Sequence, residues 1–374
     1  MKQRKLVLAA LAGCIGLGVL ISCGKSNDNN GGGVTPGKSD STLTNLGTNI
    51  ILPAYQQLAT NVAAMDAAIN TFTATPTADN LVSAQAAFKT AYTSYESTTQ
   101  FEFGPAIDQS MVTTIINVFP TDTSTIHNNI ATGTFTIDGL SNFKAQGFPA
   151  LDFLLFGAVN AKVVANFSTD ANAANAKKYL TAVSASLKSK TAAVLIAWSA
   201  TGGNYLGKFI AATGVDAGSS LSLLINAYVY DYDVILKNYK LGIPIGKYGA
   251  TTIPQDPAKV EAYYSGISLQ LLNAELQSVQ NVYLGGTGLG LDDKVAATNA
   301  QSNGGSLNDA IKNELTTVIA KVKAVPGPLS ASITNNAASV NDAYTEVSKF
   351  VVLIKVDMSS ALGVKISFSD DDGD

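Results

Sequence analysis

Tyr55 to Phe72 reads YQQLATNVAAMDAAINTF, and within it Tyr55, Leu58, Val62, Met65, Ile69 and Phe72 recur at alternating steps of three and four. That spacing lays the apolar side chains along one face of an amphipathic helix. The same rhythm returns in Leu81, Ala84, Phe88, Ala91 and Tyr95 after the Thr75-Pro76 break, and in Leu180, Val183, Leu187, Val194 and Trp198. It appears again in Val340, Ala343, Val347, Phe350, Ile354, Met358 and Ala361. No stretch sustains strand-like alternation, so the sequence predicts an all-α protein built of helical bundles. A chain of 374 residues exceeds one small core. The polar, glycine-rich run from Thr201 to Ser220 is the candidate boundary between two bundles. The first bundle is expected over 43–205, from helices near 45–72, 79–100, 148–157 and 177–200. The second is expected over 206–374, from helices near 218–240, 257–283, 306–323 and 332–362.

The N-terminus has Lys2, Arg4 and Lys5, an apolar run from Leu6 to Ile21, and then Leu20-Ile21-Ser22-Cys23. This is the pattern of a secretory signal over 1–22 with a lipid acceptor at Cys23. The alternative acceptor, Cys14, has too short an apolar run before it. The run is also shorter than the roughly 20 residues a membrane span needs, and no later segment reads as a span. Residues 23–42 are rich in Gly, Asn, Ser and Asp and should form a flexible tether. Removing 1–22 leaves 352 residues, and loss of the three basic side chains takes the formal charge from −4 to −7. That balance disfavours nucleic acid and anionic membrane surfaces as partners. Arg4 is the only arginine, so after processing an anion must be held by lysines or backbone.

The stretch Lys144 to Gly157, KAQGFPALDFLLFG, places one carboxylate, Asp152, in an otherwise apolar helical turn. Pro149 suits a first turn and Gly157 a stop. A carboxylate so placed must find a cation, hydrogen-bond donors or a proton. The segment resembles the signature of the imelysin family, Gly-x-His-x-x-Glu followed by a Phe-Leu-Leu-Phe-Gly-like run. Gly147 and Phe153 to Gly157 match, whereas Pro149 stands in place of His and Asp152 in place of Glu. Other patches follow the family's order: Phe88 to Asp108 with its Phe-x-Phe-Gly turn, and Phe119 to Ile130 with Phe for the Trp of a Trp-Pro segment. So do Tyr239 to Gly246 (YKLGIPIG), Glu261 to Ser265 as a helix start, and the ending Val356 to Asp374 of a lipoprotein branch. The resemblance implies a two-bundle fold and places the Gly104-Pro105 turn near the Gly147 helix and the domain interface.

Asp152 could join Glu102, Asp108, Asp138 or Glu261 in an oxygen-rich site for a hard cation such as iron or calcium. It could equally cap a helix or accept backbone N–H bonds. The single histidine, His127, lies in a polar stretch, and no His-Glu-x-x-His exists, which argues against a zinc peptidase. Asp231 and Asp233 with Tyr228, Tyr230, Tyr232 and Tyr239 read first as core packing and second as a ligand cleft. Gly285 to Gly290 reads as a flexible interhelical loop, not a nucleotide motif. Asp370, Asp371, Asp372 and Asp374 read as a solvated acidic end. No serine elbow or Cys-His pair is present.

The resemblance thus implies an outer-membrane lipoprotein, facing the periplasm or the cell surface, that serves as a non-catalytic binding component of iron uptake beside a transport partner. It leaves open a metallopeptidase of the imelysin type and a surface interaction protein that binds no metal.

Overall fold

The computed structural model describes residues 40–249 and 251–368. The signal, Cys23, most of the tether and the acidic end lie outside the described residues. The described residues form one compact unit, and the fold is all-α. Strand pairing among the described residues is limited to two short antiparallel ladders, Lys247–Tyr248 with Thr251–Thr252 and Gln301–Ser302 with Gly305–Ser306.

The opening stripe is buried along its whole length: Tyr55, Leu58, Val62, Met65, Ile69 and Phe72 lie in the helix Leu52–Ala74. Each such side chain contributes about 1.5–3 kcal/mol by leaving water. Their helix packs between Ala78–Tyr95 and Ala173–Trp198. In a second group, Ser268–Leu284 and Ala337–Val352 pack against the segment Asp231–Gly242, and Leu307–Lys323 packs against both of those helices. One continuous hydrophobic cluster runs through both groups. Trp198 is its largest fully buried side chain, and it meets Tyr205 edge-on at 4.9 Å and Tyr55 at 5.9 Å. Helix starts are fixed by side-chain acceptors: Thr77, Asp122, Ser219 and Ser306 each take an N–H two or three residues into the following helix.

Several expected bounds move. The helix expected near 257–283 begins only at Ser268. A short 3-10 turn, Pro257–Lys259, and a left-handed Ala262 (φ 49°) interrupt the chain before it, so Glu261 to Ser265 is a turn and not a helix start. The helix expected near 79–100 stops at Tyr95, and the C-terminal one is divided at Asn336. The loop Gly285 to Gly290 is tied down by Asn45, whose amide donates to the Gly285 and Leu289 carbonyls at 2.8 Å each. One described helix, Ala173–Trp198, does have the length and hydropathy of a membrane span, contrary to the sequence reading. Alanines raise its hydropathy, yet it packs against Leu52–Ala74 and its Lys188 pairs with Asp66 at 2.8 Å, as befits a core helix.

Candidate functional site

Gly147–Phe156 is the helix of the Asp152 motif. Gly147 has φ +69°, and a Cβ there would lie 1.9 Å from the Ile116 carbonyl oxygen, so only glycine fits. Pro149 follows in the first turn, and the Gly157 N–H closes the last turn on the Phe153 carbonyl at 2.8 Å. The helix sets Asp152 against the 261–266 turn. Its Oδ2 accepts the Tyr264 N–H at 2.9 Å and its Oδ1 the Ser265 N–H at 3.0 Å. Burial pushes the Asp152 carboxyl up to about 6, and the hydrogen bonds from Ser265 and Tyr264 oppose a larger rise.

The turn that Asp152 holds carries Glu261 into the largest concentration of buried charge among the described residues. Lys240 stands at its centre, with Nζ 2.5 Å from Glu96 Oε2, 2.7 Å from Glu275 Oε2 and 3.0 Å from Glu261 Oε2. All four residues are at most 2% exposed. Lys240 lies on Asp231–Gly242, a π-helix of 12 residues, a rare geometry that recurs at functional sites. The same π-helix buries Asp231, whose Oδ2 accepts from the Gln100 amide at 2.7 Å, and Asp233, which pairs with Lys237 and Lys355. On the far side, Glu261 Oε1 accepts the Asn117 amide at 2.6 Å and the Tyr92 hydroxyl at 3.2 Å. Tyr92 stacks on Phe148 of the motif helix, with centroids 4.6 Å apart and rings 7° from parallel.

Three carboxylates and one ammonium would leave two negative charges in a dry core, at a cost of several kcal/mol per ion. The core answers by disfavouring the charged form of two of the three acids. Burial, then the neighbouring Glu261, holds the Glu96 carboxyl well above the usual range despite Lys240. Burial likewise raises Glu275 against the pull of Lys240. Burial alone would deprotonate Lys240, but Glu261, Glu275 and Glu96 more than offset it and lift the ammonium above its ordinary value. Burial pushes Asp231 up to about 7, opposed by Lys240 and Gln100. Among the described residues Glu96 Oε1 and Glu275 Oε1 have no hydrogen-bond partner, which adds to the cost of ionising either group. Chemically the cluster is a group of buried acids around a fixed cation.

The family model for imelysin, also named peptidase M75, matches residues 51–350. The chain belongs to the imelysin family. Two solved structures share the fold at 19% identity. One is a candidate iron-regulated protein A precursor from Parabacteroides distasonis, with TM-score 0.66, covering 86% of this chain and 94% of that one. The other is an imelysin-like protein from Psychrobacter arcticum 273-4, with TM-score 0.67, covering 87% and 96%. No curated protein matches the chain by sequence.

The carboxylates expected to share an ion occupy different surroundings in this imelysin fold. Asp152 and Glu261 are joined through the 261–266 turn. Glu102 is partly buried on the far side of Tyr95, where its Oε1 accepts the Thr113 N–H at 2.5 Å, the Thr113 hydroxyl at 2.6 Å and the Tyr95 hydroxyl at 3.2 Å. Burial pushes Glu102 up to about 7 against those bonds. Asp108 is exposed at the surface, and Asp138 is an exposed partner of Lys190 at 2.5 Å. Among the described residues no three His, Cys, Asp or Glu side chains are gathered as a metal site. A resident iron or calcium ion does not fit at the motif: both Asp152 oxygens face N–H donors, and the Lys240 ammonium fills the space the three glutamates enclose. His127 is exposed, set edge-on to Phe153 at 5.4 Å, on the wall of a cleft of about 760 Å³. Of the Asp231 cluster, Tyr228, Tyr232, Asp231 and Asp233 are buried in the packing arrangement, whereas Tyr230 is half-buried and Tyr239 lines a cleft.

Sequence reasoning missed Glu96, Lys240, Glu275, Asn117 and Tyr92. Glu275 did leave a signal, because it falls on the apolar stripe of Leu271, Leu272, Leu276 and Val279, where a charge needs a buried partner.

Proposed function

We propose that this chain is a non-catalytic binding component of iron acquisition, held at the outer membrane by lipid on Cys23. The observation that carries this reading is the use made of the motif acid. Asp152 is spent on two backbone N–H groups, and proline stands where the motif histidine would be, so the motif braces a turn and activates no water. Iron enters through kinship: a similar fold belongs to a candidate iron-regulated protein, and the family is shared over residues 51–350. The lipobox at Cys23 and the polar tether after it support an envelope location beside a transport partner.

The role is tested in the source bacterium. A deletion strain under iron limitation should accumulate radioiron more slowly, wild-type protein should restore the rate, and Cys23→Ala should not. Unchanged uptake in the deletion strain would sink the proposal. The family's grouping with peptidases supplies a second reading, metal-dependent proteolysis. Cleavage of a protein substrate by the purified chain, abolished by a chelator, would favour it.

A further inference from the structure

The segments Phe119–Ile130 and Tyr239–Gly246 meet at a cleft of about 430 Å³ that the Asp152 motif does not line. Its walls include Phe119, Pro120, Tyr239, Ile243, Tyr248 and Lys259. The size falls within the roughly 300–1,000 Å³ of small-molecule sites, and an apolar lining with a few polar groups is their usual make-up. Tyr239 and Tyr248 lie 16° from parallel with centroids 6.4 Å apart, which gives one wall two aromatic faces of common orientation. Phe119 and Pro120 form further apolar wall. Lys259 is the only charged side chain in the lining, and among the described residues its ammonium pairs with no carboxylate.

A second cavity, of about 200 Å³, shares Phe119 and Tyr239 with the first and adds Thr113, Asn117, Phe143 and Ile235. Asn117 is the residue whose amide donates to Glu261 at 2.6 Å. This second cavity is therefore one side chain removed from the Lys240 cluster. Tyr239 and Lys240 are neighbours on the same π-helix, one turned to the cleft and the other to the buried glutamates.

We infer that this cleft receives a planar aromatic organic anion, and that iron reaches the protein as a complex of such anions and not as a bare ion. The inference rests on the iron-acquisition reading above and names its ligand class. Neither cavity is lined by a carboxylate, a histidine or a cysteine, so the only anionic oxygen donors at hand are the phenols of Tyr239 and Tyr248, too few to enclose a bare ferric ion. Aromatic walls instead suit the organic shell of a chelate, stacking ring on ring. Lys259, which pairs with no carboxylate among the described residues, supplies the one positive charge that an anionic complex needs near its rim. Aliphatic chelates of the same charge would gain the lysine but not the stacking.

Isothermal titration of the full chain with three probes tests this: ferric 2,3-dihydroxybenzoate, 2,3-dihydroxybenzoate alone and ferric citrate. The ferric dihydroxybenzoate complex should bind. Tyr248→Ala and Lys259→Gln should each weaken it at least tenfold, and ferric citrate should bind at least tenfold more weakly. Both variants should keep the wild-type helical circular dichroism. Absence of binding by both aromatic probes, or binding indifferent to both substitutions, overturns the inference. Ferric citrate that binds as well as the aromatic complex and ignores both variants overturns it too, while leaving the iron reading intact. Equal binding of dihydroxybenzoate with and without iron, lost in both variants, upholds the cleft as an aromatic-anion site and overturns the claim that iron arrives there as the complex.

Discussion

Asp152 and the Lys240 cluster answer the same physical problem in opposite ways. Each buries acid to 2% exposure or less. Asp152 is a lone carboxylate, and it is matched by dipoles: two N–H groups of a turn, at 2.9 and 3.0 Å. Glu96, Glu261 and Glu275 are matched by a full charge, and the three of them over-answer it. The first arrangement fixes where a loop goes. The second gathers more acid than its one cation can match, and burial raises Glu96 and Glu275 in consequence. The motif helix is thus bracing, and the reactive potential of the core sits one turn of chain away.

The comparison breaks most visibly at Lys240. Lys240→Met keeps the aliphatic length and removes the ammonium, leaving three buried carboxyls with no cation. Removing one partner of a buried ion pair costs about 3–5 kcal/mol, because the remaining charge is stranded. Urea denaturation at neutral pH should show a loss of that size. A loss under about 1 kcal/mol would mean that the glutamates are already protonated without help from the lysine.

Asp152→Asn comes next. One oxygen can still accept, but the amide nitrogen turns a donor toward the other N–H, so a buried backbone donor is orphaned. The expected cost is about 1–3 kcal/mol with helical content unchanged. Proteolysis should then find the 261–266 turn first, since its two anchors are halved. An equal loss of protection everywhere would show that Asp152 supports the whole core and not that turn.

These two sites also differ in how far the sequence foretells them. The helices are legible because the period of three and four in Tyr55, Leu58, Val62, Met65, Ile69 and Phe72 is set by the same geometry that buries them. Asp152 is legible as a buried acid, since its neighbours in sequence are apolar. Its partners are not, because backbone N–H groups carry no residue signature. The Lys240 cluster gathers four charges from residues 96, 240, 261 and 275, and no local spacing links them. Only Glu275, set among leucines, breaks its own helix pattern. The late start of the Ser268 helix is hidden for a similar reason: Ala262 takes a left-handed conformation that alanine's own preference opposes, and the tertiary pull on Glu261 and the Asp152 anchor override it.

The finest test separates protons from charges within the cluster. Burial raises the Glu275 carboxyl well above the usual range against the pull of Lys240, so Glu275→Gln keeps the shape of a side chain whose charged form the core disfavours. It should cost less than about 1 kcal/mol at neutral pH, well below Lys240→Met. Its clearest effect is on pH dependence. Burial raises Asp152 to about 6 and Glu102 and Asp231 to about 7, and it raises Glu96 and Glu275 as well. The folded chain therefore holds protons that the unfolded chain releases near pH 4. Stability from these groups is fully present below that pH and falls as pH rises through their folded values, so the melting temperature should increase from pH 8 down to pH 5. Asp122 and Glu346, whose hydrogen bonds lower them, act in the reverse sense only at more acidic pH. Gln at position 275 cannot release a proton, so the slope between pH 5 and 8 should be shallower in the variant than in the wild type. A steeper slope, or a variant as damaged as Lys240→Met, would place a carboxylate and not a carboxylic acid at Glu275 and return the surplus charge to the core.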